Sequence, residues 1–159
     1  MVWLAARNRL STRKRLFGAG VVADPSCVLC GVEEEFVEHL LFACAFGSEV
    51  LDRVCDWLRM SHKESSLGAW LTWFGNDPGQ SSPMLKIKLL AFTGLVYYIW
   101  RARNLKIFEG EEWSAAVCAR RIILDCRARI GANFSSWARN RREASWIRSL
   151  LACPKIGRG

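Results

Sequence analysis

Apolar residues recur along this chain at helical spacing. Leu85, Leu89, Phe92, Val96 and Ile99 step by four, three, four and three, which predicts one buried stripe along a long helix. Gly110 is placed to end that helix, and Ser114 to cap the next. In that second helix Ala119, Ile123, Cys126, Ile130, Phe134 and Trp137 again step by three or four. Arg120, Arg121, Arg127 and Arg129 fall largely off this stripe, so the helix has a basic, wet face. Towards the start of the chain, Trp3, Leu4, Leu10 and Leu16 sit among basic residues. They predict a short amphipathic helix and then a second helical turn with Ser11 as N-cap. Gly18, Gly20, Asp24 and Pro25 mark a loop. Glu33, Glu34 and Glu35 then predict the start of a helix, where acidic groups favour the positive end of the macrodipole. Helical spacing continues through Val50, Val54, Trp57 and Leu58. No period-two strand and no internal repeat is present, so the class is mainly α.

A tryptophan-rich patch at residues 70–74 runs into residues 75–83, where glycine, proline, serine and asparagine cluster. This is the one stretch with linker composition. It divides the chain into 1–74 and a helical tail, 84–150, with 151–159 expected to be a disordered C-terminus. A connection of this length suits two halves that pack together. The most hydrophobic run, residues 89–100, is bounded by Lys88 and Arg101. A membrane-spanning helix needs about 18 or more apolar residues, so the run reads as a core helix and no membrane partner is expected. The basic start has no apolar segment of the secretory kind, and the expected location is intracellular, nuclear and/or cytoplasmic.

At 159 residues the chain is long enough for one domain, or one domain with a small appended module. Its net charge of +8 is uneven: residues 1–20 carry +5, residues 21–100 carry −5 and residues 101–159 carry +8. Two basic ends around an acidic middle predict contact with a polyanion, RNA or DNA, of low sequence specificity. The candidate phosphate-binding residues are Arg7, Arg9, Arg13, Lys14 and Arg15 in the first segment. In the last they are Arg120, Arg121, Arg127, Arg129, Arg139, Arg141 and Arg142. Trp137 and Trp146 are candidates for stacking on unpaired bases. The plainer reading of the same charges is a solvated helix face.

The seven cysteines change the picture most. An odd set without an export signal argues against a disulfide framework. Cys27, Cys30, His39 and Cys44 have the order and spacing of metal ligands: a Cys-x-x-Cys pair followed by a histidine and a further cysteine. Gly31 tolerates the tight backbone just after the pair. Five residues turn an ideal helix by a full turn and about 140° more, so Cys44 joins His39 only if the helix ends or unwinds near Ala43. Three thiolates and one imidazole close a tetrahedral shell, the structural type of zinc site, which keeps no open position for water. One structural Zn²⁺ is therefore expected. Zinc affinities of roughly 10–16 kcal/mol in small modules rival a domain's whole stability, so losing a ligand should unfold the first half. Buried metal-free cysteines and a redox pair are the alternatives, with Cys55 a weaker substitute for Cys44. Cys118, Cys126 and Cys153 read as small buried residues. The architecture expected is a small CCHC zinc-binding module packed with a pair of long amphipathic helices.

These residues resemble the zinc-binding region of plant LINE-type (non-LTR) retrotransposon reverse transcriptases. The family's opening is matched by Trp3, Leu4 and Ala5, and its basic segment by residues 9–16. Its ligand block is matched by Cys27, Leu29, Cys30, Glu35, His39, Leu40, Phe42 and Cys44. Tyr98, Ile99, Trp100, Arg101, Arg103 and Asn104, with Phe108, Glu109 and Gly110, resemble the helical tail that follows in such elements. The resemblance runs over residues 2–130, with Phe17-Gly18 where the family has Trp-Gly. Met1 falls inside the opening motif, which implies truncation at the N-terminal end, without endonuclease or polymerase.

No polymerase dyad, phosphate-cradling glycine loop or nucleophile with a nearby base is found in the sequence, so catalysis is not expected. His62, beside Lys63 and Glu64, reads as a surface histidine, and Glu33, Glu34, Glu35 and Glu38 as a helix start and solvated face. The expected function is a non-catalytic, structural-zinc module of retrotransposon origin that binds nucleic acid. The alternative is a protein–protein interaction module, a small regulatory protein docking a partner through exposed tryptophans such as Trp70 and Trp73. A remnant without a selected role is the third reading.

Overall fold

The computed structural model describes residues 1–61, 63–76, 82–137 and 141–152. Helices dominate: α1 (Val2–Ala6), α2 (Arg13–Gly18), a π-helix (His39–Ala43), α3 (Ala45–Trp57), α4 (Leu67–Gly75), α5 (Pro83–Phe108), α6 (Ala115–Trp137) and α7 (Arg141–Ala152). Among the described residues there is no strand, only an isolated bridge between Ser26 and Glu34. None of these helices is long and apolar enough to cross a membrane.

The organising element is α5. Ser82 caps it, its hydroxyl accepting from the Met84 amide at 3.1 Å, and Pro83 fills the first turn, where its missing N–H costs nothing. The helix ends at Phe108, and Gly110 follows with φ +68°. The expected stripe is buried at Leu85, Phe92, Val96 and Ile99, but Leu89 faces outward. Ile87, Ala91 and Leu95 are buried instead, on a second face. A single stripe is what a helix buried on one side needs, whereas α5 packs on α3 and α6 and also touches α1, the π-helix and α7. Ser114 caps α6 as expected, accepting from the Val117 amide at 3.2 Å. On α6, Ala119, Ile123, Cys126 and Ile130 are buried against α3 and α5. One apolar core thus draws on both sides of residues 75–83, of which 77–81 lie outside the described residues. Residues 153–159 also lie outside them, while Leu151 and Ala152 complete α7. Two side chains tie α7 down: the Trp57 indole and the Arg127 guanidinium both donate to the Leu150 carbonyl, at 3.2 and 3.0 Å.

Three local expectations are corrected. The N-cap of α2 is Thr12, not Ser11, and it makes no side-chain cap. The cap comes from elsewhere: Glu35 Oε1 accepts the Arg13 amide at 2.8 Å. The glutamates at 33–35 do not open a helix. They lie in an extended return segment in which the Cys27 amide donates to the Glu33 carbonyl and the Glu35 amide to the Pro25 carbonyl. Nor are all four a solvated face. Glu35 is fully buried, and Glu38 accepts the Leu67 amide at 3.0 Å, capping α4 across the fold. Finally, Trp70 is not an exposed anchor but is buried against Phe74 and Phe92, its indole donating to the Glu64 carbonyl.

Glu35 meets Arg103 of α5. The pair lies 2.8 Å apart with side chains 0% and 3% exposed, and Arg103 Nε donates to the same carboxylate oxygen at 3.1 Å. Arg103 also donates to the Ser11 carbonyl and to Asn104 Oδ1. One buried ion pair therefore joins the return segment, the start of α2 and the C-terminal part of α5. Such a pair specifies an arrangement more than it adds net stability, but removing one partner strands a buried charge. Arg103→Ala is expected to lower stability by about 3–5 kcal/mol. Glu35→Gln together with Arg103→Met is expected to cost less than the two single changes added. Urea unfolding of the zinc-loaded proteins checks both; a cost for Arg103→Ala within the range of ordinary surface changes would contradict this reading.

Candidate metal centre

The site is assembled from two short loops and a distorted helix. At the first loop Cys27 and Cys30 flank a turn in which the Gly31 amide donates to the Cys27 carbonyl at 2.7 Å. Gly31 has φ +71°, a conformation a side chain would strain. The amides of Leu29 and Cys30 are hydrogen-bonded to the Cys27 sulfur. After the return segment a single helical turn begins at Val37 and widens at His39 into the π-helix. Its wide turn is closed by the Cys44 amide donating to the His39 carbonyl at 2.7 Å, a five-residue step. Cys44 is then extended, with φ −64° and ψ 132°, and serves as N-cap residue of α3. The helix thus unwinds where the His39-to-Cys44 spacing demanded it. The amides of Phe46 and Gly47, in the first turn of α3, point back at the Cys44 sulfur.

That return is tight. A Cβ on Gly47 would come within van der Waals overlap of the Leu40 carbonyl oxygen, so only glycine lets α3 pass this close to the π-helix. The sequence carries no periodic signal for this requirement, and Gly47 is the site-forming residue that pattern reading misses.

Sγ of Cys27, Cys30 and Cys44 and a ring nitrogen of His39 all lie within 4.8 Å of one another. Cys27 Sγ and Cys44 Sγ are 3.9 Å apart, and Cys30 Sγ is 3.3 Å from His39 Nε2. A tetrahedral zinc with usual bond lengths sets S···S edges of about 3.8 Å and S···N edges of about 3.6 Å. The donor set therefore fits Zn²⁺ in both chemistry and size. On the other side of the ring, Glu33 Oε2 lies 3.1 Å from His39 Nδ1, which places the proton on Nδ1 and frees Nε2 for the metal. The cluster is a site for one structural Zn²⁺, with all four positions taken by protein.

Electrostatics at the paired sulfurs point the same way. A hydrogen bond from Cys27, helped by the Gly47 and Phe46 amides, pulls the Cys44 thiol down to about 5. The same contact, together with burial, pushes the Cys27 thiol up. Thiols bind a cation as thiolates, so zinc binding at this pair releases protons. The other thiols differ. Burial raises Cys55 to about 11 and Cys118 and Cys126 to about 12, as expected of core residues. Cys55 lies in the core on α3, away from the cluster, and Cys153 and His62 lie outside the described residues. Trp100 of α5 packs against the small buried cluster that Cys27, Leu40 and Cys44 form, and the Arg103 guanidinium lies 4.7 Å from its ring centroid. The helical tail thus packs on the cluster that holds two of the ligands and supplies the arginine of the ion pair.

The candidate phosphate-binding residues are scattered around this core. Arg7, Arg9 and Arg15 are exposed; Arg13 pairs with Asp24 and Lys14 with Glu34. Arg120, Arg121 and Arg129 are exposed on α6, and Arg141 and Arg142 at the start of α7, whereas Arg127 is half-buried against α7. Arg139 lies outside the described residues, as does the side chain of Trp137. Trp146 is half-buried against the core, and among the described side chains Trp3 is the exposed tryptophan, at 58%.

Residues 1–50 match the family described as zinc-binding in reverse transcriptase. The match contains all four ligands, Glu33, Glu35 and Gly47. No curated protein and no solved structure matches the chain.

Two changes test the support around the ligands. Glu33→Gln keeps the ring's neighbour but removes its charge, and zinc affinity is expected to fall by about 10-fold or more. Competition with a chromophoric chelator reads this, and an unchanged affinity would contradict the role given to Glu33. Gly47→Ala is expected to cost about 1–3 kcal/mol of stability and to loosen zinc binding with it, because the overlap falls on backbone that carries two ligands.

Proposed function

We propose that this chain is a non-catalytic, zinc-organised module of retrotransposon origin that binds RNA or DNA through its basic surface. The observation that carries the reading is how the two signs of charge are disposed. The acidic residues of the return segment are engaged within the protein: Glu33 on His39, Glu34 on Lys14, Glu35 on Arg103 and Glu38 on the start of α4. Exposed arginines are left at both ends, on the loop after α1, on α6 and on α7. With these acids paired and arginines exposed at both ends, a chain of net charge +8 attracts a polyanion. The family match supports the same reading, since it describes a region of an enzyme that works on nucleic acid. A closed four-ligand shell offers a substrate no coordination position, which supports a role for the metal in folding and not in chemistry.

Binding of this kind has a defined salt response. Each phosphate neutralised on a single strand contributes about −0.7 to the slope of log affinity against log salt. With about six such contacts, affinity for a single-stranded oligonucleotide should fall on the order of 10²-fold between about 50 and 200 mM salt. Fluorescence anisotropy on the zinc-loaded chain measures it. Absence of binding at low salt, or recovery from cell extract of one stoichiometric protein partner that nuclease treatment does not remove, would contradict the proposal and favour the protein–protein reading.

A further inference from the structure

The outer side of α5 and the adjoining start of α6 carry an aromatic and basic cluster that the zinc site does not use. Tyr97 is 42% exposed and stands between two concavities. One, of about 290 Å³, is bordered by Thr93, Gly94, Tyr98 and Arg129. The other, of about 280 Å³, is bordered by Trp100, Arg101, Asn104 and Phe108. The rings here are held in place. Tyr98 meets Tyr97 edge-on at 5.0 Å and donates its hydroxyl to Asp125 at 2.5 Å. The Trp113 indole donates to Glu111 at 2.7 Å. Arg101 donates to the Tyr97 hydroxyl at 3.3 Å, and its guanidinium lies 5.8 Å from the Trp113 ring centroid. Arg121 lies closer to that ring, at 4.3 Å.

We infer that this face is a platform for single-stranded nucleic acid. An unpaired base stacks on Tyr97 in either concavity, and Arg101, Arg121 and Arg129 hold the flanking phosphates. The inference rests on the nucleic-acid reading above and gives it a location. Exposed cations around an exposed, oriented ring select this occupant. The guanidiniums of Arg101, Arg121 and Arg129 reach solvent at exposed positions around the rings, which suits a polyanion threading past them. An exposed, oriented ring offers every base the same stacking face, so little ordering entropy is lost on binding. Among the nearby acids, Asp125 and Glu111 fix the orientation of Tyr98 and Trp113, and Glu112 is paired with Lys106. A duplex, whose bases are already stacked, would use the arginines but not Tyr97.

The test uses the full zinc-loaded chain and a fluorescein-labelled 12-nucleotide single-stranded RNA, with the same sequence as a duplex for comparison. Tyr97→Ala should weaken single-strand binding by about 5- to 100-fold, the range for loss of one base–aromatic stack, and leave duplex binding within about twofold. Tyr97→Phe keeps the ring and should bind as the parent does. Arg101→Ala with Arg121→Ala should flatten the salt slope for single strands by about 1.4, the value for two lost phosphate contacts. Tyr97 is exposed, so its variants should keep the parent's helicity and zinc content, which circular dichroism and elemental analysis verify. If the parent binds RNA but Tyr97→Ala binds equally well, or loses single-strand and duplex binding alike, the platform is overturned while the nucleic-acid reading stands. If the parent binds no nucleic acid, both fall.

Discussion

Bringing three sulfurs and an imidazole within 4.8 Å of one another, from positions 27, 30, 39 and 44, constrains the backbone at every step between them. The first two ligands need a turn that closes in three residues, which Gly31 permits. The last two need a helix that changes direction in five, so an α-helix begun at Val37 widens into a π-turn and breaks at Cys44. The start of α3 then runs directly behind the site, close enough that position 47 admits only glycine. Neither the π-turn nor the contact of Gly47 with Leu40 is favourable in isolation, since widened turns and close backbone approach give up regular hydrogen bonding and side-chain packing. A tetrahedral cation that binds all four ligands stabilises the whole of this arrangement.

The second constraint is where the site sits. Residues 1–50 carry the ligands, but their burial depends on α5, which begins more than thirty residues later. Trp100 packs on the cluster of Cys27, Leu40 and Cys44, and three residues on, one helical turn away, Arg103 neutralises Glu35. Glu35 in turn caps α2, so the basic N-terminal segment is positioned through the same carboxylate. Metal, ion pair and α2 form one connected unit, and the tail is part of the environment of the metal.

Much of this was legible in the sequence, and the rest was hidden for physical reasons. The ligand spacing identified the cluster because metal coordination is local and its residue types are few. The limits of α5 and α6 were readable from Gly110 and Ser114, because termini are set by neighbouring residues. Glu35 was read as part of a solvated run because its partner lies 68 positions away, and charge patterning reports only nearby neighbours. The cap on α2 was hidden for a similar reason, since Glu35 lies 22 positions from the Arg13 amide it accepts, beyond the reach of local capping signals. The single-stripe pattern places Leu89 in the core, but α5 is packed on two faces and Leu89 faces outward. Composition alone makes Trp70 a surface anchor, whereas it lies in an aromatic cluster with Phe74 and Phe92.

Zinc is what holds the first part of the fold together. Elemental analysis of the purified chain, paired with far-ultraviolet circular dichroism of the parent and of His39→Ala, tests this most directly. The expected result is one zinc per chain in the parent, with both the metal and a substantial part of the helicity lost in the variant. A parent that is fully helical with no zinc, or a His39→Ala chain that keeps its helicity without metal, would contradict it.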